Sequence, residues 1–179
     1  MKNANYDLKL FLSSKKINSR ITELGRILSD DFINRNPIFL GVMNGSFMFM
    51  SDLMKKISIQ CEIDFIKIHS YIGKKSTGKV RLLSENTLDL EDRHVVIVED
   101  IIDTGTTAKY LMDILSAANP KSISIVTLLM KSDLTGLNFN IDYIGFEIAR
   151  GFVVGYGLDY NQKYRNLDSL YHLKKKNIK

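Results

Sequence analysis

A lone cysteine, Cys61, excludes an intrachain disulfide and any zinc site built on several thiolates. Proline is almost missing, with 2 in 179 residues, and no long polar tract is present, so disorder and extended linkers do not fit. No apolar run approaches a membrane span, and the opening MKNANYDLKLFLSSKK holds none as long as a signal peptide requires. These absences lead to the expectation of a cytoplasmic protein with no membrane partner. His69, His94 and His172 have no mutual spacing that would suggest a metal site. Acidic excess is missing as well: 25 Lys and Arg against 20 Asp and Glu leave a net charge of +5. That balance is compatible with nucleic acid, a membrane surface or small phosphorylated substrates. The basic residues are dispersed except at Lys174–Lys176, which reads as a solvated tail.

What is present is ordinary for one domain spanning residues 1–179, with 45% apolar and 25% charged residues. Ile17, Ile21, Leu24, Leu28 and Phe32 recur at helical spacing and predict an amphipathic helix over 17–33. Ile38–Met43 is a short apolar run suited to a buried strand, followed by the turn Asn44-Gly45-Ser46 and a second helix. Ile63–Ile68, Val95–Val98, Ile123–Met130, Ile141–Phe146 and Phe152–Tyr156 complete the strands, with a helix carrying Ala108, Leu111 and Leu115 among them. Alternating strands and helices predict an α/β fold, with a mostly parallel twisted sheet flanked by helices. Between Ser70 and about Asp92 the chain turns polar, and such a loop inside a compact domain suggests a mobile functional segment.

One segment carries the chemistry: Val95-Val96-Ile97-Val98-Glu99-Asp100-Ile101-Ile102-Asp103-Thr104-Gly105-Thr106-Thr107. An apolar strand ends in two adjacent carboxylates, a third follows, and small residues then open a helix. Ligands of open α/β sheets bind beyond the carboxyl ends of the strands. The Thr104–Thr107 turn offers backbone N–H groups and hydroxyls at a helix N-terminus, where an anion is favoured. It suits one phosphate monoester, because it lacks the lysine and glycine spacing of a nucleoside-triphosphate loop. Bare carboxylates would repel a phosphate, so Glu99 and Asp100 are expected to grip a ribose diol or a magnesium ion through water.

That segment resembles the phosphoribosyl pyrophosphate-binding signature of the type I phosphoribosyltransferases, and more narrowly the hypoxanthine-guanine phosphoribosyltransferases. Leu128-Leu129-Met130-Lys131 is similar to the family's strand ending in a purine-recognising lysine. Phe152-Val153-Val154-Gly155-Tyr156-Gly157-Leu158-Asp159-Tyr160 is similar to its purine-stacking segment, and Ser70-Tyr71 to the opening of its catalytic loop. The resemblance covers roughly Ile38 to Arg165. It implies the type I fold with a small hood or lid region, and transfer of a 5-phosphoribosyl group from phosphoribosyl pyrophosphate to a 6-oxopurine.

The resemblance also implies roles. The 5′-phosphate would sit on Thr104, Gly105, Thr106 and Thr107. Glu99 and Asp100 would face the ribose hydroxyls and their magnesium shell, and Asp103 would act as general base or proton partner at purine N7. Purine contacts would come from Ile101, Lys131, Phe152, Val153 and Asp159. Lys131, with donors and no acceptor, would meet the O6 carbonyl and reject an adenine amino group. Asp159 would hold a second magnesium on the pyrophosphate. Asn44, Gly45, Ser70, Tyr71 and Arg165 would contact that leaving group. Some relatives carry lysine where this chain has Asn44, so a backbone contact rather than a side-chain charge is expected there; the family's loop often contains a cis peptide at this place. A homodimer or homotetramer is implied, with no nucleic-acid partner. Two alternatives stay open: a xanthine-preferring enzyme, and a phosphoribosyl pyrophosphate-sensing regulator that binds nucleic acid.

Overall fold

The computed structural model describes residues 6–70, 80–84, 89–134, 136–149 and 151–175. Numbered in chain order, the elements are β1 (Tyr6–Leu12), α1 (Ser14–Asp31), β2 (Ile38–Met43), α2 (Phe47–Met54), β3 (Glu62–Ser70), β4 (Val80–Ser84), β5 (His94–Ile102), α3 (Thr106–Ser116), β6 (Ser122–Lys131), β7 (Tyr143–Ile148), β8 (Val153–Val154) and β9 (Leu170–Lys175).

The main sheet runs β4-β3-β2-β5-β6-β7, with five parallel strands and β4 antiparallel at the edge. Alternation along each central strand divides the core. Phe39, Val96, Val98, Val126 and Leu128 face α1 and α2, whereas Ile38, Leu40, Val95, Ile97 and Ile125 face α3. Both faces being covered explains why these strands read as unbroken apolar runs. Helix α1 is capped by Ser13, whose Oγ accepts from the Lys16 N–H at 3.4 Å. Its buried stripe of Ile17, Ile21, Leu24 and Leu28 contributes on the order of 6–12 kcal/mol of gross apolar burial. No helix among the described residues is long and apolar enough to cross a membrane.

The parallel strands follow the order of a doubly wound sheet whose direction of growth reverses between β2 and β5. A crevice opens at the carboxyl ends on either side of such a reversal. A second, three-stranded antiparallel sheet, β1-β9-β8, forms the hood and borders that end through Val153 of β8, which lines a cleft together with Asp100 and Asp103.

Two sequence expectations change. The polar stretch expected to be loop from 70 to 92 contains β4, which pairs with the end of β3; Val80, Leu82 and Leu83 supply the strand content that the surrounding polar residues mask. The remaining residues of that stretch expected to form a lid, 71–79 and 85–88, lie outside the described residues. Lys174 is no free tail either, because it belongs to β9 and pairs with Asp7, as Lys175 pairs with Tyr6.

Candidate functional site

Strand β5 delivers the site. Past Val98 the strand turns acidic while staying largely covered: Glu99 and Ile102 are buried, Asp100 and Ile101 partly so, and Asp103 follows the strand beside the crevice. Asp103 and Thr104 are exposed. Gly105 caps α3 with a left-handed φ of 75°, and the first turn of the helix presents its N–H groups where an anion is favoured. The Thr104 hydroxyl lies 3.0 Å from that of Thr106 and receives the Thr106 N–H at 3.4 Å. Glu99 and residues Ile101 to Ala108 enclose a small hollow of ≈ 80 Å³.

A larger cleft of ≈ 370 Å³ adjoins it, lined by Asp100, Ile101, Asp103, Lys131, Gly151, Phe152, Val153, Leu158 and Asp159. That volume is in the range of small-molecule sites. Ile101 and Asp103 line both spaces, so the Asp103 carboxylate stands between the anion turn and the cleft.

Lys131 ends β6 and is buried, at 5% exposure. Its ammonium donates to the Gly151 carbonyl. Phe152 is the opposite case, a large apolar side chain 53% exposed in the cleft wall. Val153 beside it is buried. Farther along, Asp159 and Arg165 form an ion pair at 2.7 Å, and Arg165 also donates to the Gly157 carbonyl at 2.8 Å.

The turn after β2 closes the crevice from the other strand. The Met43–Asn44 peptide is cis. Asn44 is exposed, and Gly45 packs directly on Asp100. Gly157 packs in turn on Gly45: at φ 97° a Cβ there would stand 2.0 Å from the Gly45 carbonyl oxygen, so both conformation and space require glycine. Ser70 ends β3, and its partner in the expected pyrophosphate set, Tyr71, lies outside the described residues.

Electrostatics set the two adjacent acids apart from ordinary surface carboxylates. Burial holds Glu99 well above the usual range, and the charge of Asp100 adds to the effect. Desolvation pushes Asp100 up to about 6, opposed by the Ile101 N–H and Arg165 and reinforced by Asp159. Among the described residues no group of three His, Cys, Asp or Glu is placed to hold a metal. What the acids offer is one or two carboxylates, the way magnesium is held when it keeps several waters.

The structure therefore brings Asp100, Ile101, Asp103, Lys131, Phe152, Val153 and Asp159 to one cleft, with Glu99 and Thr104 to Thr107 in the adjoining hollow. Arg165 joins through Asp159, and Gly45 through Asp100. Gly151 and Leu158 line the cleft without having been singled out in the sequence. Also missed was Tyr156, whose hydroxyl donates to Asp52 of α2 at 2.6 Å and ties the Phe152–Asp159 segment to the helix following Asn44-Gly45. Nothing local signals a bond between residues so far apart; only the glycines flanking Tyr156 hint at an unusual backbone.

Residues 9–161 match the family model described as the phosphoribosyl transferase domain. The chain is 43% identical over 165 residues to the hypoxanthine phosphoribosyltransferase of Buchnera aphidicola, covering 90% of this chain and 93% of that protein. A hypoxanthine phosphoribosyltransferase crystal structure from Staphylococcus aureus is similar at a TM-score of 0.88 and 39% identity, covering 93% of this chain and 91% of that one. The Trypanosoma cruzi hypoxanthine phosphoribosyltransferase in complex with the product IMP is similar at 0.86 and 33%, with 97% of each chain covered. The chain spans only 25% of the bifunctional protein TilS/HprT of Listeria monocytogenes, to which it is 41% identical over 160 residues, or 89% of this chain.

Proposed function

The chain belongs to the phosphoribosyl transferase family, with hypoxanthine phosphoribosyltransferases among its relatives, and from that premise we propose that it is a purine-salvage enzyme. It transfers the 5-phosphoribosyl group of phosphoribosyl pyrophosphate to hypoxanthine, and to guanine, giving IMP or GMP and pyrophosphate. The observation that carries this reading is the adjacency of three parts. An anion turn is separated by one exposed carboxylate, Asp103, from a cleft holding a buried ammonium and a half-exposed aromatic ring.

In this reading the 5′-phosphate lies on the N–H groups of Thr104 to Thr107 and fixes the sugar. The purine stacks on Phe152, and Lys131 exchanges its bond to the Gly151 carbonyl for one to O6. Purine N9 forms the bond to the anomeric carbon as the bond to the pyrophosphate oxygen breaks, and Asp103 takes up the base's proton at N7. The protein's own contribution is to orient the reactants, neutralise the leaving group and keep water out. Arg165, the backbone at Asn44-Gly45, Ser70 and Tyr71 are the residues assigned to the pyrophosphate.

Magnesium fits the acids present. Asp100 is desolvated and repelled by Asp159, so a cation near either carboxylate relieves the cost of their charge. Glu99 and Asp100 on the ribose side, and Asp159 on the pyrophosphate side, are the residues that would hold it. When bound, magnesium offsets negative charge on the pyrophosphate as it leaves. The protein works in the cytoplasm as a homodimer or homotetramer. Ile63 and Phe65, two residues apart on β3 and 49% and 44% exposed, offer apolar surface to a second copy.

Steady-state assays with phosphoribosyl pyrophosphate, magnesium and each of hypoxanthine, guanine, xanthine and adenine test the reading. Hypoxanthine and guanine are expected to be turned over and adenine refused. Preference for xanthine would change the substrate, and no nucleotide from any base would end the proposal.

A further inference from the structure

We propose that Tyr160, held by Tyr6, is a positioning residue that fixes the Phe152 ring at the orientation in which it receives the purine; this rests on reading Phe152 as the stacking surface. Phe152 lies just before the two-residue strand β8 and is more than half exposed. A ring so open keeps rotational freedom unless something meets it. Tyr160 does, with its ring 5.7 Å from that of Phe152 and at 83° to it, the edge-to-face arrangement that aromatic pairs favour. Contact of this kind restrains the Phe152 ring while leaving surface open to a flat ligand.

Tyr160 is itself fixed at both ends. Its backbone exchanges two hydrogen bonds with Lys163, each 3.1 Å. Its ring lies 5.2 Å from the Tyr6 ring at 62°, and the two hydroxyls are hydrogen-bonded at 2.9 Å. Tyr6 opens β1, which pairs with β9, and β9 pairs with β8. The hood thus closes a circuit: β8 follows the stacking ring directly, while β1 supplies the tyrosine that steadies its neighbour. Asp159, one residue before Tyr160, points instead to the cleft and Arg165, so a defect in the aromatic row is separable from one in pyrophosphate contact.

The test is steady-state kinetics with hypoxanthine and phosphoribosyl pyrophosphate on Tyr160→Leu, Tyr160→Phe, Tyr6→Leu, Phe152→Leu and the double variant Phe152→Leu/Tyr160→Leu. Tyr160→Leu is expected to raise the hypoxanthine KM by roughly two- to tenfold, the range of one lost aromatic pair, with kcat and the KM for phosphoribosyl pyrophosphate within about twofold. Tyr160→Phe, which keeps both ring contacts but loses the hydroxyl bond to Tyr6, should raise the KM less than Tyr160→Leu does. Adding Tyr160→Leu to Phe152→Leu should cause no further rise, since no ring remains to be positioned. Should Tyr160→Leu fail to fold, Tyr6→Leu, away from the cleft, is expected to raise the hypoxanthine KM in the same direction. An unchanged hypoxanthine KM in the Tyr160 and Tyr6 leucine variants, an equal rise for both substrates, or full additivity in the double variant overturns the proposal. If Phe152→Leu itself binds hypoxanthine normally, the stacking reading fails and the proposal falls with it.

Discussion

Gly45 and Asp100 touch across the crevice: a Cβ on residue 45 would lie 1.8 Å from Asp100 Oδ2. Gly45 sits just beyond β2 and Asp100 near the carboxyl end of β5, and these strands are neighbours in the sheet where its order reverses. The atom in the way is the far end of a side chain, which can swing aside, so the cost of Gly45→Ala should fall on the site and hardly on the fold. We expect kcat/KM for phosphoribosyl pyrophosphate to drop at least about tenfold, while unfolding free energy changes by no more than about 1 kcal/mol. Kinetics and a melting curve on the same preparation check both halves.

The desolvated acids make stability depend on pH. Asp100 titrates at about 6 in the folded chain, against ~3.9 when unfolded. Between those values the folded state holds more protons than the unfolded one, so stability falls as pH rises through the window. The cost from Asp100 is on the order of 2–3 kcal/mol once pH exceeds the folded value. Asp100→Asn should therefore melt higher than wild type at pH 7.5, with the advantage shrinking towards pH 4.5, although it loses activity. A lower melting temperature for the variant at pH 7.5 would count against a desolvated carboxylate.

Asp103 is exposed between the anion turn and the cleft, so removing its charge should leave the fold intact. Asp103→Asn is expected to lose roughly 10²–10⁴-fold in kcat, the usual contribution of a general base. Near wild-type turnover would remove it from the proton-transfer role.

Lys131 carries the choice of base. Replacing it with the uncharged Lys131→Met removes three donors while keeping the chain length. Hypoxanthine kcat/KM should fall by roughly 10–100-fold, or about 1–3 kcal/mol, with adenine gaining relative to hypoxanthine. Discrimination between the two bases that survives the substitution would mean that another group reads O6.

How much of this could be read from the chain follows from distance along it. The anion turn and its acids occupy one strand, turn and helix from Val95 to Thr107, so period, polarity and small residues disclose them together. The buried runs Ile38–Met43 and Val95–Val98 likewise stand out because both faces of those strands are covered. Tyr6–Leu12 and Leu170–Lys175 do not, because they pair with distant segments, β1 with β9 and β9 also with β8, and the lysines closing β9 look like a solvated end until Asp7 and Tyr6 are placed opposite them. The contacts of Gly45 with Asp100, of Tyr156 with Asp52, and of Tyr6 with Tyr160 join segments that no local pattern connects. The sequence thus names most groups of the cleft but not what holds them at their angles.

A crystal structure with IMP bound is the most direct measurement. The 5′-phosphate should rest on the backbone of Thr104 to Thr107, with the purine against Phe152, N7 near Asp103 and O6 within hydrogen-bonding reach of Lys131. Nucleotide bound elsewhere, or bound there with Lys131 still turned to the Gly151 carbonyl and away from O6, would contradict the account.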